Sequence, residues 1–195
     1  MVLRRAREQI ENYEEAWSQG VLETAPEPSP AQNPALLWKA PPEGYIKLNW
    51  DAAVDKETKR VGLGVVARNH RGEVLAMYCD TKASTTAEAL AASRAVLVAG
   101  NLAWNKIILE GDALEIVQRL SRSGSWMGSF GMVMEDMKTH LMQFQEWQVE
   151  HIPRCVNEVA DSLAKLALHL SSEKLWVADF PSSILPRVIA EQGSH

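Results

Sequence analysis

The sequence predicts an α/β fold in which a mixed sheet carries helices on both faces. Three observations predict it. Strand-like segments with alternating apolar residues come first, at 45–54, 61–69 and 73–80, separated by short turns. Helical and strand-like segments then alternate up to residue 170. Strands joined by tight turns pair antiparallel, whereas strands joined through helices run parallel, so the two parts together predict a mixed sheet.

The elements are assigned from periodicity and turn residues. The first strand alternates apolar and polar residues as far as Trp50, as a half-buried strand does. His70, Arg71 and Gly72 mark the turn before the third strand. The later elements are predicted as helix 85–100, strand 106–111, helices 113–121 and 129–143, strand 147–152 and helix 157–170.

The segments that flank the domain at 45–171 are predicted to be appendages. Residues 1–19 predict an amphipathic helix, which either pairs with a partner or lies against its own domain. Six prolines between residues 26 and 42 predict an extended linker over 20–44, with the run Leu36-Leu37-Trp38 as a hydrophobic anchor. The tail, 172–195, is expected to pack back through Trp176, Phe180, Ile184, Leu185 and Pro186.

Length, charge and cysteine content exclude several classes of protein. No apolar run approaches the roughly 20 residues that cross a bilayer, and no secretory signal or transit peptide is evident. Two distant cysteines predict a reduced, intracellular location, in the nucleus or cytoplasm. The net charge is −5, but residues 45–171 hold 14 Lys or Arg against 15 Asp or Glu. Nucleic-acid binding would therefore depend on metal ions and local contacts more than on long-range attraction.

Four acidic residues stand where a mixed sheet would bring them together. Asp51 ends the alternating run of the first strand, and Glu88 opens the helix at 85–100. Asp112 follows an apolar strand, and Asp161 lies in the first turns of the last helix. An unpaired buried carboxylate is costly, and oxygen ligands suit hard divalent cations. The pattern therefore predicts a divalent-metal site.

Three of these acids also have purely local interpretations. Thr85 and Glu88 fit a capping box, in which the glutamate accepts a bond from the start of its own helix. Asp112 fits an ordinary N-cap for helix 113–121. Asp161 fits a solvated acid favoured by the helix dipole. Asp51 is the hardest to explain locally, because aspartate is disfavoured within strands.

The motifs around these acids resemble the four signatures of type-one ribonuclease H, most closely its plant ribonuclease H-like branch, which is related to retroelement polyproteins. The resemblance covers about residues 45 to 171. It implies a mixed five-stranded sheet with helices on both faces. The motifs are KLNWDAA at 47–53, TAEALA at 86–91, LEGD at 109–112 and RCVNEVADSLA at 154–164, with GLGVV at 62–66 and RNHRG at 68–72 in the hairpin.

The resemblance also implies an activity. It predicts a metal-dependent endonuclease that hydrolyses the RNA strand of RNA–DNA hybrids with Mg²⁺, or with Mn²⁺ in its place. Asp51 would bridge two cations, Glu88 and Asp112 would flank one, and Asp161 the other. The alternative is a catalytically weak module of the same fold that binds nucleic acid or a protein partner. With either activity, the N-terminal helix is expected to serve self-association or to bind a protein partner.

The substrate-binding residues implied by the resemblance depart from many family members. Ala52 stands where a glycine often follows the first aspartate, and Ser84 and Thr85 stand where two asparagines often contact the 2′-hydroxyl. Arg154 is expected to contact phosphate, or to be a surface arginine or cap partner. Asn157 is expected to cap the last helix or to contact substrate. His151 is expected to be structural, and the lysine-rich protrusion of some bacterial members is missing.

Overall fold

The computed structural model describes residues 37–83, 86–122 and 127–192. The predicted helix at 1–19, most of the linker, Ser84 and Thr85 lie outside these ranges, so the expectations for them stay predictions. Within the described ranges, no helix combines the length and apolar character that a bilayer crossing requires.

The sheet is mixed, as the sequence predicts, but the described chain gives it six strands where five were expected. Its order is β5-β4-β1-β2-β3-β6. The pairs β1–β2, β2–β3 and β3–β6 are antiparallel, whereas β1–β4 and β4–β5 are parallel. The added strand β6 lies in the tail, and its three residues are too few to show an alternation. The strands are β1 Ile46–Asp55, β2 Arg60–Arg68, β3 Val74–Lys82, β4 Lys106–Gly111, β5 Glu146–His151 and β6 Lys174–Trp176.

Helices cover both faces of the sheet. Three of them, α1, α2 and α3, bury one face against Leu48 and Trp50 of β1. The other two, α4 and α5, pack on the opposite face against Val66 and Met77. The predicted arrangement of helices is confirmed. The helices are α1 Ala87–Asn101, α2 Leu114–Leu120, α3 Gly128–Leu141, α4 Glu158–Ala167 and α5 Leu185–Gln192.

The central strand β1 is buried on both faces, and one face is polar. Leu48 and Trp50 point into the first core and are fully buried. Lys47, Asn49 and Asp51 alternate with them and are also almost completely buried. Since buried polar groups need partners, this second face must be satisfied by neighbouring elements.

Glu110 of β4 supplies the partner for two of these residues. Lys47 Nζ lies 2.5 Å from Glu110 Oε1, and Asn49 Nδ2 donates to Glu110 Oε2 at 2.9 Å. Trp38 Nε1 donates to Asn49 Oδ1 at 3.0 Å, and its ring is buried. The predicted hydrophobic anchor at the end of the linker is therefore confirmed at Trp38.

The tail packs back onto the second face, as the sequence predicts. Phe180, Ile184 and Leu185 are buried in the core beneath α4. The helix α5 that follows was not predicted from the sequence. Pro186 argues against a helix interior, but it stands second in α5, where its missing N–H is not needed.

Helix α4 lies unusually close to strand β2. A Cβ atom at Gly64 would collide with the backbone oxygen of Ala160 and the backbone nitrogen of Ala164. A Cβ atom at Gly62 would collide with the backbone oxygen of Ala164. Gly64 is also the neighbour of Asp51 across the β1–β2 pair. This glycine contact therefore brings α4 down onto the part of the sheet that carries Asp51.

We predict that Gly64→Ala will destabilise the protein by about 1–3 kcal/mol or more, because the added methyl group meets rigid backbone and forces α4 away from the sheet. Urea denaturation followed by circular dichroism measures the change in the free energy of unfolding. Gly100→Ala is the matched control. Gly100 lies in α1 with open space around its Cβ position, so alanine should stabilise the helix by about 0.5–1 kcal/mol. Equal stability of Gly64→Ala and the wild type would contradict the close contact.

Candidate active site

Three of the four predicted acids converge at one edge of the sheet. Asp51 lies on β1, Asp112 directly follows β4, and Glu88 is the second residue of α1. One carboxylate oxygen from each lies within 4.8 Å of the others. The parallel pairing of β1 and β4 explains the first two positions. Asn49 is paired with Glu110, and two residues further along each strand come Asp51 and Asp112.

The geometry removes the local interpretations of Glu88 and Asp112. The capping box needs its glutamate at the third helical position, but α1 begins at Ala87 after the N-cap Thr86, which puts Glu88 second. Helix α2 has Ala113 as its N-cap residue, so Asp112 does not occupy the capping position. Both side chains belong to the acid cluster instead.

The electrostatics of the cluster reflect burial and mutual repulsion. Burial, and then the charge of Asp112, raises the pKa of Asp51 to about 7. Burial, and then the charges of Asp51 and Asp112, raises the pKa of Glu88 to about 8. Like charges so close together in a poorly solvated place favour the protonated forms. A bound cation would reverse this preference.

The donor set fits a divalent cation. Asp51 Oδ1 accepts a hydrogen bond from the Ala52 N–H at 2.7 Å. Asp51 Oδ2 and Glu88 Oε2 are buried, and neither has a hydrogen-bond partner among the described residues. Buried carboxylate oxygens without a donor are costly, and hard cations such as Mg²⁺ prefer such oxygen ligands. These two oxygens therefore point to a cation as the missing partner.

Asp161 lies near the cluster but outside the group of three. Its charge is among the causes that raise the pKa of Asp51. Its Oδ2 accepts from Lys165 Nζ at 2.6 Å, and its Oδ1 lies 3.5 Å from Arg154 Nη2. Asp161 stands in the first turn of α4, so the interpretation as an acid favoured by the helix dipole remains open.

Two other side chains border the acids. The Arg154 side chain is 72% exposed, and the charges of Asp51, Asp112 and Asp161 raise its pKa. His151 Nε2 donates to the Asp112 carbonyl oxygen at 3.2 Å, which puts this imidazole at the site. The sequence predicts a structural His151 at the end of strand 147–152, and its contact with Asp112 was not predicted. The available signal was its place at the end of β5, where it pairs with Gly111 beside Asp112.

The capping role predicted for Asn157 is wrong. Asn157 is the N-cap residue of α4, but its side chain makes no capping bond in the described chain. It is completely buried and donates instead to the Trp50 carbonyl oxygen at 2.9 Å. Asn157 thus fixes β1 next to Asp51. Its buried side chain is placed to position the site, and a direct contact with the substrate stays a prediction.

The fold and the carboxylate geometry together define a ribonuclease H-like domain. Residues 49–167 match the family model described as reverse transcriptase-like. Because the match covers more than half of the chain, the protein belongs to this family. The fourth acid, Asp161, and both bordering residues, His151 and Arg154, lie within the matched segment. Helix α5 lies beyond it.

Solved structures show the same fold. RNase H1 from the halophilic archaeon Halobacterium salinarum NRC-1 is 26% identical, with a TM-score of 0.57 over 64% of this chain and 98% of its own. LC11-RNase H1 in complex with an RNA/DNA hybrid is 19% identical, with a TM-score of 0.58 over 64% and 96%. The N-terminal RNase H domain of a Mycobacterium tuberculosis protein is 19% identical, with a TM-score of 0.58, and the match covers 64% of this chain and 94% of that domain's chain. No curated protein sequence matches the chain.

We predict that the metal-free protein loses stability as the pH rises. The folded-state pKa values, about 7 for Asp51 and about 8 for Glu88, lie above the unfolded values of roughly 4. Between these limits the folded state binds more protons than the unfolded state, so the free energy of unfolding falls with increasing pH. Urea denaturation in EDTA at pH 5 and pH 8 measures the effect.

The variant Asp51→Asn isolates this contribution. Its stability advantage over the wild type should grow by about 1–3 kcal/mol from pH 5 to pH 8, since the wild-type carboxyl is still protonated in the folded state at pH 5 and loses its proton as the pH passes about 7. Asp136→Asn, an exposed acid on α3, is the matched control and should show no such difference. If Asp51→Asn gave the same pH dependence as the wild type, the repulsion within the cluster would be refuted.

Proposed function

We propose that this protein is a metal-dependent endonuclease that hydrolyses the RNA strand of RNA–DNA hybrids. The observation that carries the proposal is the group formed by Asp51, Glu88 and Asp112, with its two buried and unpartnered oxygens. The archaeal RNase H1 supports it at 26% identity, and the complex of LC11-RNase H1 with a hybrid indicates the substrate class. We also propose that the chain belongs to the plant, retroelement-related branch, on the motifs it carries.

The three acids would hold Mg²⁺, or Mn²⁺ in its place, with Asp161 as a fourth ligand from α4. When bound, such ions activate a water molecule and stabilise the oxygen that leaves the phosphodiester. Asp51 lies on a central strand, and Asn157 donates to the carbonyl group of the preceding residue. Arg154, exposed beside the acids, would contact a phosphate of the substrate.

We assign the choice of RNA–DNA hybrid over DNA to short polar side chains and to the protein backbone near the acids. Ser84 and Thr85 precede α1, where Glu88 enters the acid cluster, and hydroxyls there would contact the 2′-hydroxyl of RNA. Ala52 directly follows Asp51 and is half-buried on β1. The substrate backbone would pass this residue. A duplex with A-like shape and 2′-hydroxyls on one strand meets these requirements, whereas B-form DNA does not.

We predict that Asp51→Asn and Asp112→Asn will each reduce hybrid cleavage by at least about 100-fold, because each removes a negative charge that holds the cations. The assay uses a hybrid labelled at the 5′ end of its RNA strand, with Mg²⁺ and separately with Mn²⁺. Asp136→Asn changes an exposed acid by the same chemistry and should cleave at the wild-type rate. Circular dichroism confirms that each variant is folded.

Two results would count against the enzyme. Near-normal cleavage by either cluster variant would show that these acids do not form the catalytic site. A folded wild-type chain that binds the hybrid without cutting it, with either metal, would favour the non-catalytic module. The ion pairs of Asp161 with Lys165 and Arg154 are the observation that favours the module, because they engage the fourth acid within the protein.

We further predict that the enzyme will cut RNA in a hybrid and spare double-stranded DNA of the same sequence. The physical reason is that the proposed contacts sense the 2′-hydroxyl and the A-like shape, with no base readout. A hybrid that carries a single run of four ribonucleotides, compared with an all-DNA duplex, measures this choice. Equal rates on the two duplexes would rule it out.

Self-association through the predicted helix at 1–19, and a nuclear or cytoplasmic location, stay predictions.

A further inference from the structure

The start of helix α4 is completed by a residue from the C-terminal tail. This helix carries Asp161 in its first turn. Its N-cap residue, Asn157, gives its side chain to Trp50 and does not cap the helix. The backbone N–H of Val159 instead donates to Glu191 Oε1 at 2.8 Å. Glu191 lies on α5, 32 residues further along the chain.

This hydrogen bond matters because the first N–H groups of a helix have no acceptor within the helix. Val159 is completely buried, and Glu191 is nearly so, so water does not replace the bond. An unpaired buried N–H is costly. The carboxylate also lies at the positive end of the helix dipole, where negative charge is favourable. Glu191 therefore stabilises the first turn of α4 in two ways.

Glu191 is itself fixed to the core of the sheet. Its Oε2 accepts from Arg68 Nη2 at 2.6 Å, and Arg68 is completely buried on β2. The carboxylate thus links the first turn of α4 to the strand beside β1, which carries Asp51.

We propose that Glu191 is a positioning residue that holds the first turn of α4, and through it Asp161, in place relative to Asp51. The inference rests on the proposed function. It assigns a role to a residue outside the segment 49–167 that matches the family. Without Glu191, the turn that contains Asp161 loses its buried acceptor and frays. A displacement of about 1 Å at a catalytic group is enough to reduce the rate on the order of 100-fold.

The test compares two double variants of the full-length chain, Arg68→Met with Glu191→Gln and Arg68→Met with Glu191→Met. Both remove the buried ion pair, so neither leaves an unpaired buried charge. They differ in one property, because glutamine keeps a carbonyl oxygen for the Val159 N–H and methionine does not. If the second double variant fails to fold, Leu replaces Met at position 191.

Three quantities are measured on each variant. Amide hydrogen exchange at Val159 should be at least about tenfold faster in the variant without the acceptor, since its N–H bond is lost. The dissociation constant for Mn²⁺ should rise several-fold, because Asp161 is displaced. The turnover number for hybrid cleavage should fall at least about tenfold, with little change in KM for the hybrid.

Two further substitutions show whether the effect passes through Asp161. Adding Asp161→Asn should lower the turnover number in the glutamine background but have little further effect in the methionine background, because residues that act as a unit are non-additive. Glu158→Gln is the matched control. It removes the exposed ion pair between Glu158 of α4 and Arg187 of α5, at 2.9 Å, and should change none of the three quantities.

The outcomes separate this inference from the proposed function. Equal hydrogen exchange, Mn²⁺ affinity and turnover in the two double variants would overturn the role of Glu191 while the enzyme remains active. Equal effects of Asp161→Asn in both backgrounds would also overturn it. A wild-type chain that neither binds Mn²⁺ nor cleaves the hybrid would overturn the proposed function, and this inference with it.

Discussion

The polar face of β1 is the constraint on which the rest of this structure depends. A central strand buried on both sides normally carries apolar residues, but Lys47, Asn49 and Asp51 occupy one face of β1 and are almost completely buried. Glu110 of the neighbouring strand satisfies the first two, through bonds of 2.5 and 2.9 Å. Asp51 receives one hydrogen bond, from the Ala52 N–H, and its other oxygen has no partner in the described part of the chain.

The two carboxylates on this face therefore have opposite requirements. Burial raises the pKa of Glu110, but the Lys47 ammonium and the Asn49 amide oppose the rise, and the pair satisfies itself. At Asp51, burial and the charges of Asp112 and Asp161 raise the pKa, and only the Ala52 N–H hydrogen bond and the exposed Arg154 oppose the rise. A buried charge that the protein leaves uncompensated is neutralised by a proton or by an external cation, so this position favours cation binding.

Much of this was predictable from local pattern, and the exceptions have a common cause. The alternation of apolar residues identified β1, and the motifs identified all four acids. The spacing of Thr85 and Glu88 also allowed a capping role for Glu88, which the start of α1 at Ala87 removes. Asn157 was assigned to capping because that is its local preference, whereas its partner, the Trp50 carbonyl, lies 107 residues away. Glu191 gave no local signal, because its partners lie on β2 and α4. Long-range partners explain the failures at Asn157 and Glu191.

Arg68 connects these long-range contacts to both ends of the described chain. Its guanidinium lies 4.2 Å from the centre of the Trp38 ring, at the end of the linker, and pairs with Glu191 in α5. Two of its nitrogens, Nε and Nη1, have no hydrogen-bond partner among the described residues, so stacking on Trp38 is part of what offsets their burial. The buried guanidinium of Arg68 thus has partners in both segments that flank the domain. Because its partner Glu191 also holds the first turn of α4, Arg68 connects these segments to the acid site.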